Sequence, residues 1–96
     1  MSPEKLKKLI KLRKSLDKLD NSFIKLVKKR TELVKKVLKL KEYKNQIVDK
    51  KRIKMILHEI KKKSIRNNID PKITKKIWSN MIKAYIEFEK RNFERK

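Results

Sequence analysis

Apolar residues recur at alternating spacings of three and four along the first forty positions. Leu9, Leu12, Leu16, Leu19, Phe23, Leu26, Arg30, Leu33, Val37 and Leu40 form one register, with a single cation inside it. That register is the a/d seam of a heptad and predicts one unbroken helix. Ser2-Pro3-Glu4 opens it with an N-cap hydroxyl, a proline at the first helical position and an acid in the first turn. The pattern fades in a polar connector over 42–46. Asp49 then caps a second helix with Ile53, Ile56, Leu57 and Ile60 as its stripe. Asn67-Asn68 closes it, and Asp70-Pro71 opens a third by the same N-cap and N1 logic. Ile77, Trp78, Met81, Ile82, Tyr85, Glu89 and Phe93 line the inner face of that last helix. The pattern predicts helices over 3–41, 49–66 and 71–93. The fold class is all-α, a single three-helix domain over 1–96 with one very long N-terminal helix.

The first helix would be about 58 Å long at ~1.5 Å per residue, far longer than a globule of this size is wide. Its seam runs nearly end to end, which two shorter helices cannot cover. A second copy of the chain is the economical cover, so a homodimer is expected. A plain coiled-coil rod would explain the seam. It would not explain Arg30 within it or the two capped helices that follow.

Composition narrows the chemistry. Without glycine there is no Gly-rich phosphate loop, and without cysteine no disulfide, thiolate metal site or thiol nucleophile. His58 alone builds neither a His-rich metal site nor a Ser-His-Asp triad, and it is assigned no role. No apolar run approaches a membrane span, and no signal-peptide core is visible, so the expectation is a cytoplasmic protein with no membrane partner, metal or cofactor. A net charge of +21 raises nucleic acid as a partner. The lysines are spread along the whole chain, however, and the six aromatics form no stacking platform. Weak, salt-sensitive binding to polyanions is expected, and no specific nucleic acid.

The arginines change the picture. There are six against 26 lysines, and Arg13, Arg30 and Arg52 sit beside or inside apolar stripes. A guanidinium fork grips a carboxylate bidentately, whereas an ammonium is a flexible point charge. Any one of these arginines alone reads as a structural ion-pair partner or a snorkelling side chain. Together they point to a semi-enclosed site for a small anion. On an ideal helix Arg30 and Lys41 differ by about 20° in facing and lie roughly 16 Å apart along the axis, a span that can bracket a metabolite. Arg13 lies about 25 Å from Arg30 and roughly 100° around the helix, so the two cannot grip one small molecule within a chain. Antiparallel pairing of two long helices would bring Arg13 of one subunit toward Arg30 of the other, giving two shared sites per dimer. Arg52 falls in the first turn of the second helix, where free N–H groups favour anions. Glu89 on the apolar stripe is either a partner for one of these cations or a functional group. Arg13–Asp17 is an i, i+4 pair, and Asp20 a local partner for helix cations.

Leu12-Arg13-x-x-Leu16-Asp17-x-Leu19-Asp20, then Lys29-Arg30-x-x-Leu33-Val34-x-x-Val37-x-x-x-Lys41, then Val48-Asp49-x-x-Arg52, closely resembles the all-helical chorismate mutase family. The likeness runs from about Leu9 to Phe93. It implies an intertwined homodimer of three-helix subunits with shared active sites. By that likeness Arg13 crosses the dimer to one substrate carboxylate, and Arg30 binds a carboxylate in its own subunit's site. Lys41 hydrogen-bonds the ether oxygen of the breaking C–O bond, and Asp49 and Arg52 close the site. Glu89 falls where many members carry a glutamine that donates to the same oxygen, so here it must hold a proton to donate.

The implied reaction is the rearrangement of chorismate to prephenate, a step toward Phe and Tyr. It is pericyclic and intramolecular and needs no nucleophile, metal or cofactor. Two departures point elsewhere. Ile53 stands where many mutases have a glutamate that accepts from the substrate's C4 hydroxyl, and Tyr85 where a small polar residue is common. These, with the short connector from Lys41 to Arg52, look like the isochorismate-pyruvate lyase branch, which makes salicylate and pyruvate. That activity is the alternative. A basic helical dimer that binds nucleic acid is the rival from another class.

Overall fold

A computed structural model describes residues 1–94; the last two positions of the expected 1–96 domain lie outside the described residues. The helices are α1 (Pro3–Leu40), α2 (Lys50–Arg66) and α3 (Pro71–Asn92). A short 3-10 turn, Lys44–Gln46, interrupts the first connection, and no strand occurs among the described residues. Each helix starts where its cap lies. Ser2 Oγ accepts from Lys5 N at 3.3 Å, Asp49 Oδ1 from Arg52 N at 3.0 Å, and Asp70 Oδ1 from Lys72 N at 2.9 Å. Each side chain satisfies an amide that the helix itself cannot, a contribution of about 1 kcal/mol apiece.

The end of α2 is a Schellman turn made without glycine. Asn68 takes φ 56°, Asn68 N donates to Ile65 O at 3.2 Å, and Ile69 N donates to Ser64 O at 2.8 Å. Asparagine is the residue after glycine that best tolerates this left-handed position. Asp70-Pro71 follows at once, so the chain reverses within a few residues and α2 and α3 pack as a hairpin. A short polar chain pins that hairpin. Ser64 Oγ donates to Ile60 O at 2.6 Å, which leaves its lone pairs for the Thr74 hydroxyl, also 2.6 Å away. Both side chains are buried.

Contacts divide the chain into two units, residues 1–33 and 34–96. The first is the N-terminal stretch of α1, where Leu12, Leu16, Leu19, Phe23 and Leu26 are all more than half exposed. The expected seam is therefore present as a helical stripe whose apolar side chains from Leu12 to Leu26 are exposed. The second unit holds the end of α1, the connector, α2 and α3, with Leu38 and Ile47 as its buried hydrophobics. Here the covered row is Val34 and Leu38 of α1 with Lys41 just beyond its end, whereas Val37 and Leu40 are exposed. The two rows are one residue, and so about 100°, apart on the helix. One face packs within the second unit and the heptad face does not. On α3 the expected inner face holds except at Ile77, which is 42% exposed because it lies at the stripe's edge. Phe88 and Ile86 are half-buried in addition.

Candidate active site

The second unit brings two of the expected site residues into direct contact. Lys41 lies just past the end of α1, its amide donating to Leu38 O at 3.1 Å in a tightened last turn. Its Nζ donates to Glu89 Oε1 on α3 at 3.0 Å. The side chains are 18% and 8% exposed, so this is a largely desolvated ion pair. An ammonium has three donors and Glu89 occupies one, so Lys41 keeps donors for a second anionic partner. Glu89 is buried on an otherwise apolar stripe, and without a cation beside it a carboxylate there would be costly.

Stretches next to each member of the pair in sequence are fixed as well. Tyr85, one turn before Glu89, meets Phe88 edge to face with ring centroids 6.4 Å apart at 83°. Gln46 Oε1 accepts from Glu42 N at 2.7 Å and Tyr43 N at 2.9 Å, folding the connector back on itself directly after Lys41. That brace was not read from sequence. The stretch appeared only as polar, although a glutamine three residues after an N-cap position, here Gln46 after Tyr43, is a signal for such a turn. Ser64 and Thr74 were also missed. Ser64 continues the Ile53–Leu57–Ile60 row, and a hydroxyl in an apolar register is the signal of a buried polar partner.

The remaining expected residues are placed as follows. Asp49 is exposed and has a structural task, since its Oδ1 caps α2 through Arg52 N; the Arg52 side chain is exposed. Ile53 and Tyr85 are half-buried. In the first unit Arg13 is exposed, and Arg30 is half-buried with its Nε shielded from solvent and no hydrogen-bond partner among the described residues. A buried N–H donor without a partner costs about 1–3 kcal/mol, so Arg30 is held in a form that gains from meeting an acceptor. The Arg13–Asp17 pair is not formed, and both side chains are exposed. Exposed i, i+4 pairs contribute only ~0.3–0.5 kcal/mol, too little to hold two mobile side chains together.

Comparison with known proteins fits this arrangement. The model of the family described as chorismate mutase type II matches residues 12–90. The chain belongs to that family. It is also 34% identical over 93 residues to a protein of Methanocaldococcus jannaschii named chorismate mutase, a match that covers 93% of this chain and 91% of the relative. No solved structure matches the chain. The family match takes in Arg13, Arg30, Lys41, Asp49, Arg52, Ile53, Tyr85 and Glu89. Among the described residues, no helix is long and apolar enough to cross a membrane.

Proposed function

We propose that this chain is a chorismate mutase, converting chorismate to prephenate at sites built around Lys41 and Glu89. The observation that carries this reading is the Lys41–Glu89 pair at 3.0 Å in a chain whose family match spans both residues. The reaction breaks one C–O bond and makes one C–C bond within a single molecule, so the protein must hold a conformer and stabilise charge. In the proposal Arg30 grips one substrate carboxylate. Lys41 directs a remaining N–H donor at the ether oxygen, where negative charge grows in the transition state. Asp49 and Arg52 close the site, Tyr85 and Ile53 shape its wall, and no cofactor or metal takes part.

The proposal includes a homodimer in which Arg13 of each chain completes the other's site. The exposed seam of α1 supports it, because covering Leu12, Leu16, Leu19, Phe23 and Leu26 stabilises a complex by on the order of 1 kcal/mol per half-exposed side chain. A cytoplasmic setting belongs to the same reading and suits a chain without cysteine. The test is direct. Purified protein is incubated with chorismate and, separately, with isochorismate, and prephenate, salicylate and pyruvate are assayed. Prephenate from chorismate is the expected product. Salicylate and pyruvate from isochorismate, with no prephenate, would transfer the assignment to the lyase that Ile53 and Tyr85 suggest.

A further inference from the structure

The α2–α3 hairpin contains a second cationic feature that shares no residue with the proposed active site. A cavity of about 320 Å³ opens between the later turns of α2 and the first turn of α3. Its floor is hydrocarbon, from Leu57, Ile60 and Pro71, and its rim carries Lys61, Lys72 and Lys75. The two walls are held at fixed spacing by the buried Ser64–Thr74 hydroxyl contact, so the cavity is part of the folded hairpin and not a gap between loose side chains.

Charge decides what such a cavity suits. No acidic residue lines it, and none of the three ammonium groups has an ion pair or hydrogen bond with a described residue. The nearest acids in sequence are otherwise engaged: Asp70 caps α3, and Glu59 pairs with Lys62 at 3.8 Å. Three like charges around an apolar floor repel one another, so an anion among them is favoured and a cation disfavoured, while a neutral occupant leaves the repulsion unrelieved. A volume near the lower end of ordinary ligand sites suits a body of one ring, not a dinucleotide or a peptide. Thr74 and His58 add polar atoms to the lining.

We propose that this cavity binds a small organic anion, with a compact apolar body on the Leu57–Ile60–Pro71 floor and one carboxylate or phosphate head among Lys61, Lys72 and Lys75. The shared chemistry is a single anionic head on a hydrocarbon body. Inorganic phosphate has the head without the body, and a polyanion cannot use the floor. This inference is independent of which reaction the chain catalyses.

The test is an NMR titration of the intact chain, following the Leu57 and Ile60 methyls and the His58 ring. The probes are 3-phenylpropionate, benzyl phosphate, 3-phenylpropanol and inorganic phosphate. The two amphipathic anions should shift these signals, and the alcohol and inorganic phosphate should bind at least tenfold more weakly. A Lys72→Met/Lys75→Met protein should lose at least tenfold in affinity for the anions and keep its mutase rate, while Lys72→Arg/Lys75→Arg should retain binding. Circular dichroism confirms that each variant folds. Equal binding of inorganic phosphate would reduce the cavity to generic surface charge and overturn the proposal. So would shifts confined to the surroundings of Lys41 and Glu89. Cavity signals insensitive to every probe but shielded from a paramagnetic co-solute in the dimer would assign the cavity to a second copy instead.

Discussion

Replacing Glu89 by glutamine separates two roles that the Lys41–Glu89 pair leaves combined. Unit charges 3.0 Å apart attract by about 5–6 kcal/mol at an effective dielectric constant near 20, before the cost of desolvating both ions is counted. Glutamine keeps the shape and the oxygen that accepts from Lys41, a hydrogen bond to a charged group that contributes about 1.5–3 kcal/mol. It also removes a buried anion. The two changes largely offset each other, so Glu89→Gln should cost about 1 kcal/mol or less, a few degrees in Tm for a domain of this size. Glu89→Ala leaves the Lys41 ammonium unpaired, and should cost about 2–3 kcal/mol, below the full buried-pair penalty because the Lys41 side chain is already 18% exposed with Glu89 in place. Catalysis follows a different order. A group that donates to the ether oxygen must hold a proton, which the amide of glutamine always does and an ionised carboxylate does not. Glu89→Gln should therefore equal or exceed wild type in kcat if the residue at 89 acts as a donor. Chorismate disappearance, with kcat and KM separated, reads this directly, and thermal unfolding supplies the stability arm. A glutamine variant that folds but is about a hundredfold slower would refute the donor role, because the anion would then be what catalysis needs. An alanine variant of full activity would leave Glu89 as a partner of Lys41 and nothing more.

Lys41→Met should lower kcat by roughly 10²–10³-fold with little change in KM, the usual loss of one transition-state donor; an equal rise in KM would instead mark Lys41 as a ground-state contact. Arg30→Lys keeps the charge but loses the fork, and should cut kcat/KM well beyond threefold; a smaller loss, under ~1 kcal/mol, would mean that a generic positive potential suffices. Mixing and refolding inactive Arg13→Ala with inactive Arg30→Ala should restore up to one working site per heterodimer, and mixtures that dimerise yet stay inactive would exclude a shared site. Thr74→Val should lower stability by about 1 kcal/mol in a denaturation series, since Ser64 keeps its bond to Ile60 O and loses only the Thr74 contact.

Much of the architecture was local information. The three starts at Pro3, Lys50 and Pro71 agree with the caps Ser2, Asp49 and Asp70 because an N-cap bond joins residues only two or three positions apart. The end of α2 at Asn67-Asn68 is legible for the same reason. Arg30 was legible as a type: an arginine in a heptad seam is costly wherever the chain folds, and its Nε is buried without a partner among the described residues. The family was legible from motif spacing as well, since Arg13, Arg30, Lys41 and Arg52 keep their separations along the chain.

What periodicity could not decide was which face of α1 is covered within the second unit. Leu33–Val37–Leu40 and Val34–Leu38–Lys41 are both regular at helical spacing, and only the packing of the second unit selects the latter row. Nor could it decide the partner of Glu89. Lys41 and Glu89 are 48 residues apart, and nothing near either one favours the other over the many remaining lysines. The same holds for the Ser64–Thr74 contact and the cavity beside it, which exist only once α2 and α3 lie against each other. Caps and stripes are properties of a few consecutive residues. Ion pairs, cavities and the choice between two apolar faces depend on distances between segments, which a one-dimensional pattern does not contain.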